Sequence, residues 1–124
     1  MTFIHRRSLL AATAAAALSL CTLAQAQGGL GSGAPVRLIV GYSAGGPVDQ
    51  GARLFSIALS KELGTTVMVD NKTGANATLA GNETSRANPD GLTLWFAASP
   101  TITISPNVMR KMQFDPVKDL TPIA

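Results

Sequence analysis

The sequence predicts an α/β fold, a parallel sheet with flanking helices, and three observations carry that prediction. Short apolar and β-branched runs recur at 36–40 (VRLIV), 65–70 (TTVMVD) and 92–97 (LTLWFA). A stretch of helical periodicity separates the first two, and a weaker one separates the second from the third. Strand, helix, strand, helix, strand in this order predicts right-handed crossovers and parallel pairing.

The elements begin only after a leader. His5, Arg6 and Arg7 precede an apolar, alanine-rich region at 9–23, and Ala24-Gln25-Ala26 has the small-residue pattern of a cleavage site. Residues 1–26 therefore read as an export signal cleaved after Ala26. The apolar region is shorter than the roughly 20 residues a membrane-spanning helix needs. The Arg6-Arg7 pair leaves a twin-arginine route open beside the general secretory one. Cys21 follows the bulky Leu20 rather than the small residue of a lipid-attachment site, so it is expected to leave with the signal. The mature chain then has neither a disulfide nor a thiol nucleophile.

Ninety-eight residues remain, with eight basic against seven acidic side chains and a net charge of +1. Charges of both signs are scattered, so no nucleic-acid partner is expected. This length suffices for one small core at most. The closing DLTPIA reads as the approach to another strand, and the chain is expected to be cut short.

Residues 27–35 are rich in Gly, Ser and Ala and read as a flexible lead-in. In 36–40 four of five residues are apolar, as in a strand covered on both faces. Val48, Ala52, Phe55, Leu59 and Leu63 recur at steps of three and four, with Gln50, Arg53, Ser60 and Lys61 mostly opposite and Gly64 as the stop; Ile57 is an imperfection. After the second strand, NKTGAN is a loop, and 78–87 forms a weaker helix interrupted by Gly81 and Asn82. Asn88-Pro89-Asp90-Gly91 is a turn. The third strand leads into a loop at 98–101 and a short helix at 106–112. No repeat of 20–50 residues is present.

The three loops leaving the carboxyl ends of the strands, 43–47, 71–77 and 98–101, are predicted to converge on one edge, where such sheets bind ligands. The first contains GYSAGG, whose start fits the G-x-S-x-G of a hydrolase nucleophile elbow. Ser43 as nucleophile needs a histidine, and the one histidine, His5, leaves with the signal. A dinucleotide site would need glycine at 43, although Asp70 stands about 20 residues on, where a ribose-binding acid would sit; a solvated strand end is the simpler reading of Asp70. A phosphate-binding Walker loop lacks its Lys-Ser/Thr pair.

Two readings remain, a glycine-rich turn kept for packing alone and a binding loop. Gly45 and Gly46 allow close approach, Pro47 suits a first helical turn, and free N–H groups with the positive end of the helix dipole suit a carboxylate. Asp49 either stabilises the helix start or meets a ligand amine or hydroxyl. Ser43 is a hydroxyl donor or only a small turn residue. Tyr42 and Trp95 stand at the same edge, as pocket lining or as core. No cofactor and no metal is expected.

The motifs PVRLIVGYSAGGPVD, ELGTTVMVDNKTGAN, ANPDGLTLWFAAS and FDPVKDLTPIA, in this order, resemble the N-terminal part of the Bug family of periplasmic solute-binding proteins, which serve tripartite tricarboxylate transporters. The resemblance runs from about Pro35 to Ala124. It implies a first-domain fragment of a two-domain, Venus-flytrap binding protein that is not an enzyme. It implies a periplasmic location, a small carboxylated solute as ligand, and transporter subunits or a sensor as partners.

The resemblance further implies that Ser43, Ala44, Gly45, Gly46 and Asp49 hold one carboxylate, largely through backbone groups and water. Ala98, Ser99 and Thr101 would complete the first-domain half, and the loop with Gly74 and Asn76 would also line the cleft. The family often has proline before that glycine, and here Thr73 stands instead. The second domain would lie beyond Ala124, so residues 27–124 alone are expected to be poorly stable and to bind no solute tightly.

Overall fold

A computed structural model of the chain describes residues 33–123. The predicted export signal, its cleavage site and Cys21 lie outside the described residues, as do residues 27–32 of the lead-in.

Three strands, β1 (Val36–Val40), β2 (Val67–Asn71) and β3 (Thr93–Phe96), form one parallel sheet in the order β2-β1-β3. Val40 is level with Asn71 on one side and with Phe96 on the other. The three chains thus leave the sheet at the same height, and the convergence of their loops follows from register.

Helix α1 (Pro47–Leu63) covers one face. Its stripe meets Val36, Leu38 and Val40 through fully buried Ala52, with Val48, Leu59 and Leu63 packed around them, and Gly64 closes it at φ 63°. Phe55, the middle of the predicted stripe, stacks obliquely on Phe96 with ring centroids 5.9 Å apart. Ile57 stays exposed, as its departure from the helical spacing implies.

Helix α2 (Thr78–Ser85) lies on the other face, over β3 and β1. Gly81 does not interrupt it. A side chain there would overlap the Phe114 ring, so the glycine is a notch that lets a distant segment pack on the helix. Phe114 is buried, with Trp95 edge-on to it at 5.8 Å. Trp95 is thereby assigned to packing on this face.

Several boundaries differ from expectation. The second strand begins at Val67, because Thr65 turns its hydroxyl to the Gly33 and Ala34 carbonyls; those two lead-in residues are tied down rather than loose. The loop after β3 is shorter than predicted: helix α3 (Ser99–Thr103) starts at once, with proline in its first turn. The following helix, α4 (Ser105–Val108), ends well before Met112. Pro106 lacks the N–H that would continue α3, which splits the segment at Ile104. Residues 119–123 belong to no strand.

Candidate functional site

The glycine loop is shaped by three different glycines. Gly41 is the tight one: a side chain there would collide with Ala77, whose Cα would lie 2.7 Å from the added carbon. Gly45 has φ +81°, a backbone conformation that glycine adopts without strain, and open space beside it. Gly46 is the N-cap of α1, in ordinary extended conformation.

The donors expected from the glycines are already engaged. The Gly46 N–H donates to the Ser43 carbonyl at 3.2 Å, and the Gly45 N–H donates to the Asp49 carboxylate at 2.8 Å. Pro47 has no N–H, so the first-turn amides that the helix itself leaves over are those of Val48 and Asp49. The two glycines supply shape, and the free donors are the amides of the first helical turn.

Asp49 is the centre of this arrangement. Its side chain is only 1% exposed and accepts from Gly45, from Arg53 Nε at 2.8 Å and from Asn71 Nδ2 at 2.9 Å. Hydrogen bonding to Arg53, then to Gly45 and Asn71, holds its carboxyl well below the usual carboxylate range. Of the two roles the sequence allows, the geometry matches the bracing one, since all three partners are internal. Because Arg53 neutralises it, a buried acid can lie beneath a helix start without repelling an anion above it.

The second loop carries a left-handed turn. Gly74 (φ +134°) is followed by Ala75, Asn76 and Ala77 at φ +45°, +54° and +65°. For residues with a Cβ this conformation costs about 1–2 kcal/mol each, so neighbours must hold it. Asn76 Nδ2 donates to the buried Ser105 hydroxyl at 2.9 Å, Thr78 Oγ1 donates to the Ala75 carbonyl at 2.7 Å, and Ala77 fits against Gly41.

The segment after β3 locks onto the other two loops through Thr101 of α3, which is fully buried. Its hydroxyl donates to the Asn76 carbonyl at 3.2 Å and lies 3.3 Å from the Tyr42 hydroxyl. Since the threonine proton is spent on a carbonyl, Tyr42 must be the donor of the second bond. One hydroxyl relay therefore joins all three loops.

Of the residues singled out from sequence, Ser43, Ala44, Gly45, Gly74, Asn76 and Ser99 are exposed, Gly46 and Ala98 are half-buried, and Asp49 and Thr101 are buried. The first group is open to solvent, whereas the last two lie beneath it. Among the described residues, non-glycine positive φ occurs at Ala75, Asn76 and Ala77 and not at Ser43, which does not match the strained turn of a nucleophile elbow. Asp70 is more than a solvated strand end. It pairs with Arg37 at 2.6 Å and Lys72 at 3.7 Å, in a cluster that includes Glu83, and the Arg37 hydrogen bond lowers its pKa.

Sequence reasoning missed Asn71, Gly41 and Ser105 as structural members of the site. Asn71 reads as the first residue of a polar loop, and only its level beside Val40 reveals its partners. A groove of about 340 Å³ between Ile102, Pro106, Met112, Phe114 and Val117, with Asn107 and Asp115 as its polar lining, contains none of the three loops; its walls are mostly apolar, and the Asp115 carboxylate among them does not suit an anion.

Known proteins resemble this chain in sequence and in fold. The profile of the tripartite tricarboxylate transporter family receptor matches residues 52–124. A UPF0065 protein of Bordetella bronchiseptica is 42% identical over 118 residues, 95% of this chain and 34% of the relative. The chain thus spans about a third of that relative's length. A solved periplasmic transporter is 38% identical, with a TM-score of 0.65 over 68% of this chain and 28% of its own. MatC from Rhodopseudomonas palustris with bound malate is 32% identical, with a TM-score of 0.61 over 71% and 30%. An R. palustris protein solved with adipate is 31% identical, with a TM-score of 0.61 over 67% and 28%.

Proposed function

Because the chain belongs to the tripartite tricarboxylate transporter receptor family, we propose that residues 36–124 form part of the first α/β domain of a periplasmic receptor for a small carboxylate. Residues 1–26 act in this reading as a cleaved export signal. A second domain facing the three loops completes the cleft, and the loaded receptor delivers its solute to membrane transporter subunits or to a sensor.

The observation that supports it best is the convergence of three loops, joined by Tyr42, Thr101 and Asn76, beside a helix start with unspent amides. Ser43, Ala44 and Ser99 line the open edge and would bond one carboxylate directly or through water, with Gly45 and Gly46 giving room and Asn76 and Ala98 bordering it. The structural neighbours solved with malate and with adipate make a dicarboxylate the first ligand class to test.

The experiment is a thermal-shift and calorimetry series on the complete receptor, second domain included, with mono-, di- and tricarboxylates, run beside an ester substrate and a serine-directed reagent. A dose-dependent stabilisation by a carboxylate, with Ser43 unlabelled, is expected. Labelling of Ser43 with ester turnover would instead establish an exported hydrolase, and no shift with any carboxylate would overturn the receptor.

A further inference from the structure

Asn71 ends β2 level with Val40, and its carboxamide spans two elements. One N–H donates to the Tyr42 carbonyl at 3.0 Å, just before the glycine loop, and the other to Asp49 at 2.9 Å, just after it. Both acceptors lack protons, so the amide orientation is fixed by chemistry. Its oxygen faces Arg53 Nη2 at 3.5 Å, and Arg53 in turn holds Asp49. A carboxylate could not donate either bond, and an apolar residue would leave the Asp49 carboxylate short of a donor.

We propose that Asn71 is the positioning residue of the candidate site, its neutral carboxamide closing the glycine loop between Tyr42 and Asp49 so that the first-turn amides face a bound anion. The inference rests on reading that loop as a carboxylate site. It adds that the loop's shape is set from the neighbouring strand: Asp49 holds the Gly45 amide, and Asn71 holds Asp49 and the loop's entrance together.

The charges around position 71 are few. Asp49 and Arg53 face it from α1. On its own strand Asp70 pairs with Arg37 of β1, and the next residue, Lys72, with Asp70 and with Glu83 of α2. The substitution Asn71→Asp therefore sets a second carboxylate against Asp49, which raises the pKa of the pair and makes the clamp depend on its protonation. The substitution Asn71→Leu removes the clamp at every pH.

The test measures malate affinity of the complete receptor, second domain included, and of both variants in it, each as a ratio to the original protein at the same pH. For Asn71→Asp a deficit of about tenfold is expected at pH 7, shrinking to about threefold near pH 4.5; for Asn71→Leu the deficit stays constant. A deficit for Asn71→Asp that is absent, or the same at both pH values, overturns the proposal. Hydrogen exchange without ligand reads the clamp separately. The Gly45 amide should exchange about tenfold faster in Asn71→Asp or in the milder Asn71→Ser, while the amides of Val36–Val40 stay protected. Unchanged Gly45 exchange overturns the proposal even where malate binds, and if the original protein binds no carboxylate, this arm still decides the role of Asn71.

Discussion

The Tyr42 hydroxyl donates to Thr101 Oγ1 across 3.3 Å, and Thr101 passes its own proton to the Asn76 carbonyl. These two residues stand 59 positions apart, and the bond between them joins the first loop to the third. Thr101 has no exposed surface, so it acts on a ligand only through what it holds.

The relay predicts a hydroxyl-specific effect. Thr101→Val keeps the shape but leaves the Tyr42 proton and the Asn76 carbonyl unpaired, which should cost about 1–3 kcal/mol of stability and, with the left-handed turn released, about tenfold in carboxylate affinity. Thr101→Ser keeps the hydroxyl and should bind within about twofold of the original protein. Calorimetry on the three proteins checks this, and equal affinity for Val and Ser would show that the relay is irrelevant to binding.

Gly41 predicts a steric effect that distinguishes the glycines of one loop. Gly41→Ala drives a methyl group into Ala77, and because both partners are backbone-bound the cost should reach the upper end of overpacking, about 3 kcal/mol. Gly46→Ala meets only the Ser43 carbonyl at 3.3 Å and has φ −75°, so it should cost about 0.5 kcal/mol. Thermal melts order the two, and a larger loss at Gly46 would contradict the packing.

Acid sensitivity follows from Asp49 and Asp70. Both ionise more readily in the folded chain than at the ordinary aspartate value of 3.8, Asp49 chiefly through Arg53 and Asp70 chiefly through Arg37. A carboxyl with a depressed folded pKa stabilises the fold wherever it is charged, fully above its unfolded value. The midpoint of thermal unfolding should therefore be level above about pH 5 and fall steeply below about pH 4. In Asp49→Asn the fold is weaker at neutral pH, but the acid slope is shallower. A midpoint that rises on acidification would refute the assignment.

Much of the fold was legible because its signals are local. The β-branched runs, the spacing from Val48 to Leu63 and the stop at Gly64 depend on residues within a turn or two of one another, and they located the strands and α1 to within a few positions. The resemblance of four ordered motifs to a binding-protein family agreed with the family profile over 52–124. Gly81 misled for the opposite reason, since as a local signal it is a break in a helix, and the Phe114 ring that explains it lies 33 positions away.

The site divided along the same line. The sequence by itself determined that three loops leave one edge of a parallel sheet and that a glycine-rich turn opens α1, because alternation and turn chemistry are written in neighbouring residues. Tertiary structure alone decided which groups remain free at that edge. It turned the Gly45 amide inward to Asp49, buried Thr101 as a brace, and brought Asn71 and Ser105 into the assembly. A hydrogen bond is decided by distance and direction, and between residues far apart in the chain both arise only when the sheet register brings their loops together.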